Sequence, residues 1–231
     1  MSEAPKVARA RLAAPPSAPL TARGARTRAA LVRAARALFE RQGYVDTSVG
    51  DISKRARVAH GTFYTYFNSK EDIFAEVADL LQEDLVRAGD AEPHVPPGSP
   101  LSARIERANR GYLRGFQENA RMMGVLEQVA TFNPRLAAIR RAARRYYVQR
   151  ATSTIQRWQQ QGLVDARLDP AYAASALGSM IDRSAYVWMV LGEPFEFEEA
   201  VVQLTRLYCN ALGLPYHRDV DEPGAGRRSP T

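Results

Sequence analysis

Between Thr47 and Lys70 the chain gathers short polar side chains at close spacing: Thr47, Ser48, His60, Thr62, Tyr64, Thr65, Tyr66 and Lys70, with Arg57 and Gly61 among them. Hydroxyls and an imidazole donate and accept hydrogen bonds, cations neutralise phosphate, and a glycine lets its backbone approach a neighbour closely. Together these groups suit the base edges and phosphate oxygens of a nucleic acid. They do not suit catalysis. The sequence holds no Gly-rich phosphate loop and no nucleophile elbow, and His60, His94 and His217 form no triad or metal pair. The lone Cys209 closes no internal disulfide. The expectation is therefore a binding protein, not an enzyme, with no metal and no cofactor.

The polar groups need a frame, and hydrophobic periodicity supplies one. Leu31, Val32, Ala35, Leu38 and Phe39 recur at helical spacing from about Arg23 and stop at Gly43, a residue suited to ending a helix. Ser48 and Asp51 form a candidate capping box for a short second helix whose apolar side carries Val49, Ile52 and Ala56. A third short helix is expected from about Ala59 to Tyr66. Ser69 caps a fourth, with Glu71 and Asp72 in its first turn and Ile73, Phe74, Val77, Leu80, Leu81 and Leu85 along one stripe. Ile52, Val58, Phe63 and Phe67 fall at inward positions and would hold the two short helices against the first. Two short helices on a longer one form the arrangement in which the second enters the major groove.

Charge places the nucleic acid at the same end. The net charge is +7, and residues 1–67 hold twelve Lys/Arg against four Asp/Glu, whereas residues 68–231 are nearly balanced. Phosphate neutralisation with counterion release supplies most non-specific affinity for DNA. Residues 1–22, rich in Ala and Pro, read as a disordered basic arm, and Arg23, Arg26 and Arg28 just beyond it could reach DNA backbone or an adjacent minor groove. No apolar run approaches the roughly 18 residues of a membrane span, and the N-terminus lacks the apolar stretch of a secretory signal, so a cytoplasmic protein without membrane contact is expected.

The stretch SVGDISKRARVAHGTFYTYFNSKEDI, from Ser48 to Ile73, resembles the signature of the TetR family of bacterial transcriptional regulators: a capped helix, an Ile-Ser pair, a turn ending in Val58, Gly-Thr-aromatic-Tyr, Tyr-Phe, then Ser-Lys-Glu. The resemblance covers residues 25–90 closely; beyond them only helix number and punctuation agree. It implies a ligand-responsive DNA-binding regulator, a homodimeric repressor released from a palindromic double-stranded operator by a small hydrophobic or amphipathic effector. It further implies that Gly61 admits the DNA backbone and that Tyr64, Lys70 and either Thr47 or Ser48 hold phosphate. The alternatives are an architectural DNA-binding protein without effector, or a small helical enzyme. Two positions depart from the family pattern. Arg57 stands where the family usually carries Gly, so a non-Gly residue would take a left-handed conformation at about 1–2 kcal/mol, and Ala59 replaces the usual Ser cap, worth about 1 kcal/mol.

The remainder reads as helices at roughly 101–119, 121–131, 135–161, 170–191 and 197–212, set off by Pro, Gly and Asn, with no convincing strand. The fold class is thus all-α, about nine helices: a helix-turn-helix domain over 23–68, a connecting helix over 69–90, an effector-binding and dimerisation domain over 101–213, and a disordered tail over 214–231. Met and aromatic side chains suit an adaptable pocket between helices, and Tyr112, Phe116, Met123, Glu127, Trp158, Met180 and Trp188 are the candidate lining. Asp182 and Arg183 interrupt an apolar run and are read as interface charges. With Leu177, Ala200, Leu204, Leu207 and Tyr208 they would build a two-fold seam from the last two helices, as the resemblance implies. Arg140, Arg141, Arg144 and Arg145 form a second basic cluster, either a solvated face or a site for an anionic effector such as the phosphates of an acyl-coenzyme A.

Overall fold

In a computed structural model, which describes residues 21–96 and 98–216, the chain is all-helical, with nine helices and no strand among those residues. Of the arm expected over residues 1–22, residues 1–20 lie outside them, while Thr21 and Ala22 instead cap and begin a helix; of the tail expected over 214–231, residues 217–231 lie outside them. The first helix, α1 (Ala22–Gln42), starts where the Thr21 hydroxyl accepts from the Gly24 amide and stops at Gly43, whose φ of 81° breaks the helix. α2 (Val49–Ala56) and α3 (His60–Tyr64) follow, α3 shorter than its expected range because residues 65–67 close as turns onto Thr62 and Phe63. α4 (Lys70–Ala91) is capped by Ser69, with Glu71 and Asp72 in its positive first turn. The other five are α5 (Leu101–Glu118), α6 (Ala120–Ala130), α7 (Pro134–Gln160), α8 (Pro170–Met189) and α9 (Phe197–Leu212). Asn133 and Asp169 cap α7 and α8, each of which begins with proline, and a left-handed Gly213 ends α9.

The larger core is shared by the first three helices and the body. Leu31, Phe39, Ile52 and Phe63 of the first three helices meet Ile73, Phe74 and Leu81 of α4, which in turn meet Leu113, Phe116, Met123, Leu126, Ile181 and Leu204. The boundary read between residues 68 and 69 therefore divides the topology and not the core. α1 and α4 run side by side in the same direction, since Arg28 reaches Glu76 and Arg36 reaches Asp84, both pairs separated by 48 residues. Farther along, α4 crosses α5 with almost nothing between the backbones. A Cβ placed on Gly111 would lie 2.6 Å from the Gly89 Cα, and one on Gly115 would lie 2.9 Å from the Ala88 Cβ.

A second, smaller cluster gathers Ile105, Ile155, Trp158, Val164, Ala174, Leu177, Cys209, Leu212 and Leu214. Its last member corrects the boundary at residue 213: Leu214 is buried, and Tyr216 donates a hydrogen bond to Glu106 at 3.2 Å. No helix among the described residues is long and apolar enough to cross a membrane.

Candidate nucleic-acid interface

α3 is held from behind and open in front. Phe63 and Phe67 are buried with Ile52, Leu31, Leu38 and Phe39, and Val58 packs beside them, so the inward positions set by spacing are the ones the core takes. His60, Gly61, Tyr64 and Thr65 face solvent, with Thr62 and Tyr66 half-buried at the edges. The His60 ring meets the Tyr64 ring edge-on at 5.6 Å, and a Cβ on Gly61 would touch nothing within 4 Å, so the backbone there lies open. Both departures from the family pattern have structural counterparts. Arg57 closes α2 with φ 57° and ψ 43°, the described non-glycine residue with positive φ, and Ala59 gives α3 no side-chain cap.

The start of α2 corrects one expectation. Ser48 is exposed and builds the capping box, accepting from the Asp51 amide while Asp51 accepts from the Ser48 amide and hydroxyl. Those hydrogen bonds hold the Asp51 carboxyl below its ordinary pKa. Thr47, the other candidate, is buried at 1% exposure, and its hydroxyl donates to the Gly43 carbonyl at 2.7 Å. A phosphate cannot reach it, so of the pair Ser48 alone faces outward.

Lys70 also has a different job. Its ammonium donates to the carbonyls of Tyr44 at 2.8 Å, Thr47 at 2.9 Å and Val45 at 3.3 Å, and lies 4.3 Å from the centre of the Tyr44 ring. All three N–H groups are engaged, which fixes the loop between α1 and α2 onto the start of α4. Burial lowers the pKa of this ammonium. The unfavourable placement of a cation at a helix N-terminus is thus offset by three carbonyls and a ring face, without any phosphate.

Arg28 is likewise engaged. It grips Glu76 through two nitrogens at 2.5 and 2.9 Å and lies 5.1 Å from the centre of the Phe67 ring, so it does not extend to DNA from an arm. Arg23 and Arg26 are exposed, but on the first turns of α1. The cations that sequence reading passed over are Arg33 and Arg55, which with Arg57 line a shallow groove between α1 and the end of α2. Arg33 lies seven residues from Arg26, on the same side of α1 and off its apolar stripe, and that spacing was the available signal.

In the body, Phe116 and Met123 belong to the large core and Tyr112, Met180 and Trp188 pack against it, whereas Trp158 belongs to the second cluster; Met180 touches both, and Glu127 is placed by its ion pair with Arg140. Trp188 stacks on Phe195 at 5.5 Å. The charged members are already paired. Arg140 bridges Glu127 and Asp182, the latter at 2.5 Å, and the Tyr112 hydroxyl donates to Asp182 at 2.5 Å. Burial and the Asp182 charge raise the Tyr112 pKa well above its usual value. Asp182 is thus paired within its own chain, through Arg140 and Tyr112.

Arg144 turns inward as well, donating to the hydroxyls of Ser175 at 2.8 Å and Ser179 at 2.9 Å, so the basic cluster splits and only Arg141 and Arg145 face solvent. Three further expected seam residues, Leu177, Ala200 and Leu204, are buried inside their own chain. Arg183 and Leu207 face outward and Tyr208 is half-buried. The exposed apolar groups of α8 and α9 are Tyr172, at 80%, and Leu207, at 52%. A helix packed on its own chain must first bury one apolar stripe, and spacing alone cannot tell that stripe from a seam.

The sequence profile described as bacterial regulatory proteins, tetR family, matches residues 31–77, the stretch that holds α2, α3 and the start of α4. The HTH-type transcriptional regulator AcrR of Shigella flexneri is 25% identical over 203 residues, covering 82% of this chain and 93% of that protein. An HTH-type transcriptional repressor of Mycobacterium tuberculosis is 31% identical over 88 residues, 38% of this chain and 45% of that protein. Among solved structures, the fatty acid degradation regulator FadR of Bacillus halodurans superposes with a TM-score of 0.66 at 19% identity, over 82% of this chain and 97% of that one.

Proposed function

The chain belongs to the TetR family of bacterial regulatory proteins and is a DNA-binding transcriptional regulator; on that premise we propose that it is a cytoplasmic repressor, held as a homodimer on a palindromic operator and released by a small hydrophobic or amphipathic effector. The observation that carries the reading is the outer side of α3, where His60, Gly61, Tyr64 and Thr65 stand exposed on a helix pinned by buried Phe63. In this reading these residues, with Thr62 and Tyr66 at the edges, address base edges and nearby phosphates. Ser48 and the first turn of α2 take one phosphate strand, and Arg23, Arg26 and Arg57 add positive charge elsewhere on the head. The relative from Mycobacterium tuberculosis is named a repressor, which supports repression over activation.

Homodimerisation is supported by large apolar groups left outside on the last two helices, Tyr172 and Leu207, with Arg183 also exposed on α8. A two-fold contact of this kind pairs two recognition helices and requires a palindrome. The effector reading rests on the body core, where Phe116 and Met123 are buried, Tyr112, Met180 and Trp188 pack against that core, and the Tyr112 hydroxyl joins a paired charge network that could exchange partners with a polar head. Selection of bound fragments from genomic DNA tests the function directly. The expected result is enrichment of one palindrome, with release on adding the effector; recovery of no palindrome would overturn it.

A further inference from the structure

α1 sorts its arginines by side. Arg28 and Arg36 turn to α4 and are ion-paired, Arg28 with Glu76 and Arg36 with Glu40 and Asp84. Arg33 turns the other way and meets Arg55 and Arg57 across a groove of about 270 Å³ floored by Ala30, Ala34 and Ala56. All three guanidinium-bearing residues are exposed, and none has a carboxylate partner among the described residues. Arg26 continues the same line about two helical turns towards the start of α1. Like charges gathered without counter-charge repel one another. Here the repulsion coincides with a strained backbone, because Arg57 lines the groove in a left-handed conformation at φ 57°. The floor is methyl groups, so a rod-like polyanion can lie close to the helices. The groove opens beside the turn that leads into α3, three residues before His60.

We infer that this groove is a second DNA-backbone site: Arg33, Arg55 and Arg57 clamp phosphates that flank the bases faced by α3, extending the footprint of each head beyond its half-site. The inference rests on the DNA-binding reading and adds a surface to it. Planar guanidiniums suit phosphate oxygens, and phosphate contacts add affinity without reading sequence.

The test is the double variant Arg33→Gln with Arg55→Gln, which leaves the turn residue in place. Both chains are titrated with the selected duplex in two lengths, one long and one trimmed to the bases of the two half-sites, across a salt series. Each lost phosphate contact lowers the slope of log affinity against log salt by about 0.9, so four contacts in a dimer lower it by about 3.6, and the variant loses roughly 100-fold less affinity between 50 and 200 mM salt. That difference is expected on the long duplex and absent on the trimmed one. Thermal melts of the two chains should coincide. An unchanged slope on the long duplex overturns the inference, as does an equal loss on both lengths. If the parent chain bound neither duplex, the DNA-binding reading would fall together with this one, a result distinct from the other two.

Discussion

Replacing Lys70 by Met separates a latch from a phosphate contact. The substitution keeps the aliphatic stem and removes an ammonium that donates to three carbonyls and faces the Tyr44 ring. Hydrogen bonds from charged donors contribute about 1.5–3 kcal/mol, and a ring-face contact adds about 0.5–1 kcal/mol at a half-exposed site. Burying the ammonium offsets part of that gain, and the abandoned carbonyls can still meet water at this edge of the head. The net loss is therefore about 2 kcal/mol, which for a chain of this size lowers Tm by about 4–8 °C. Differential scanning calorimetry gives the stability term, and DNA titration across a salt series gives the contact term. A latch predicts a lower Tm with an unchanged salt slope. Were Lys70 a phosphate ligand, Tm would stay put and the slope would fall by about 0.9 per protomer; that pattern would refute the latch.

Arg57→Gly should raise Tm by about 2–4 °C, because glycine takes the left-handed turn without the roughly 1 kcal/mol or more that arginine loses there; the same variant should bind DNA more weakly, so the two measurements move in opposite directions. Asp182→Ala leaves the Tyr112 hydroxyl without its acceptor and Arg140 with Glu127 alone. It should lower stability by about 1–2 kcal/mol, by the penalty of a half-broken, part-buried network, without changing the dimer dissociation constant measured by sedimentation. Leu207→Glu, at an exposed position of α9, should shift sedimentation towards monomer while the circular dichroism melt of the monomer stays cooperative.

Local punctuation was legible because it depends on neighbours in sequence. Gly43, Ser48, Ser69, Asn133, Asp169 and Gly213 mark helix ends through bonds that span four residues or fewer, and the left-handed turn at Arg57 was placed by the resemblance, since the family usually carries Gly there. The core of the head followed from period. What spacing could not carry was the destination of long polar side chains. Arg28, Lys70 and Arg140 are each consistent with a ligand contact until the fold brings Glu76, the Tyr44 carbonyl or Asp182 to them, across 48, 26 and 42 residues. Thr47 failed for a smaller reason. It sits beside an exposed Ser48, and only the direction of the loop decides which hydroxyl turns inward.

The crossing of Gly89 and Gly111 gives α4 mechanical properties that its sequence does not advertise. Backbone against backbone leaves no side chain to yield, so the two helices resist sliding and permit a change of angle about the point of contact. Lys70 lies about 28 Å along the helix axis from that point at 1.5 Å per residue, so a tilt of about 5° there carries the first turn of α4 through about 2.5 Å. Lys70, Glu76 and Asp84 fasten the loop before α2 and two positions of α1 to the moving arm. A tilt about this glycine crossing, far from the recognition helix, would therefore be carried to the head by the contacts along α4.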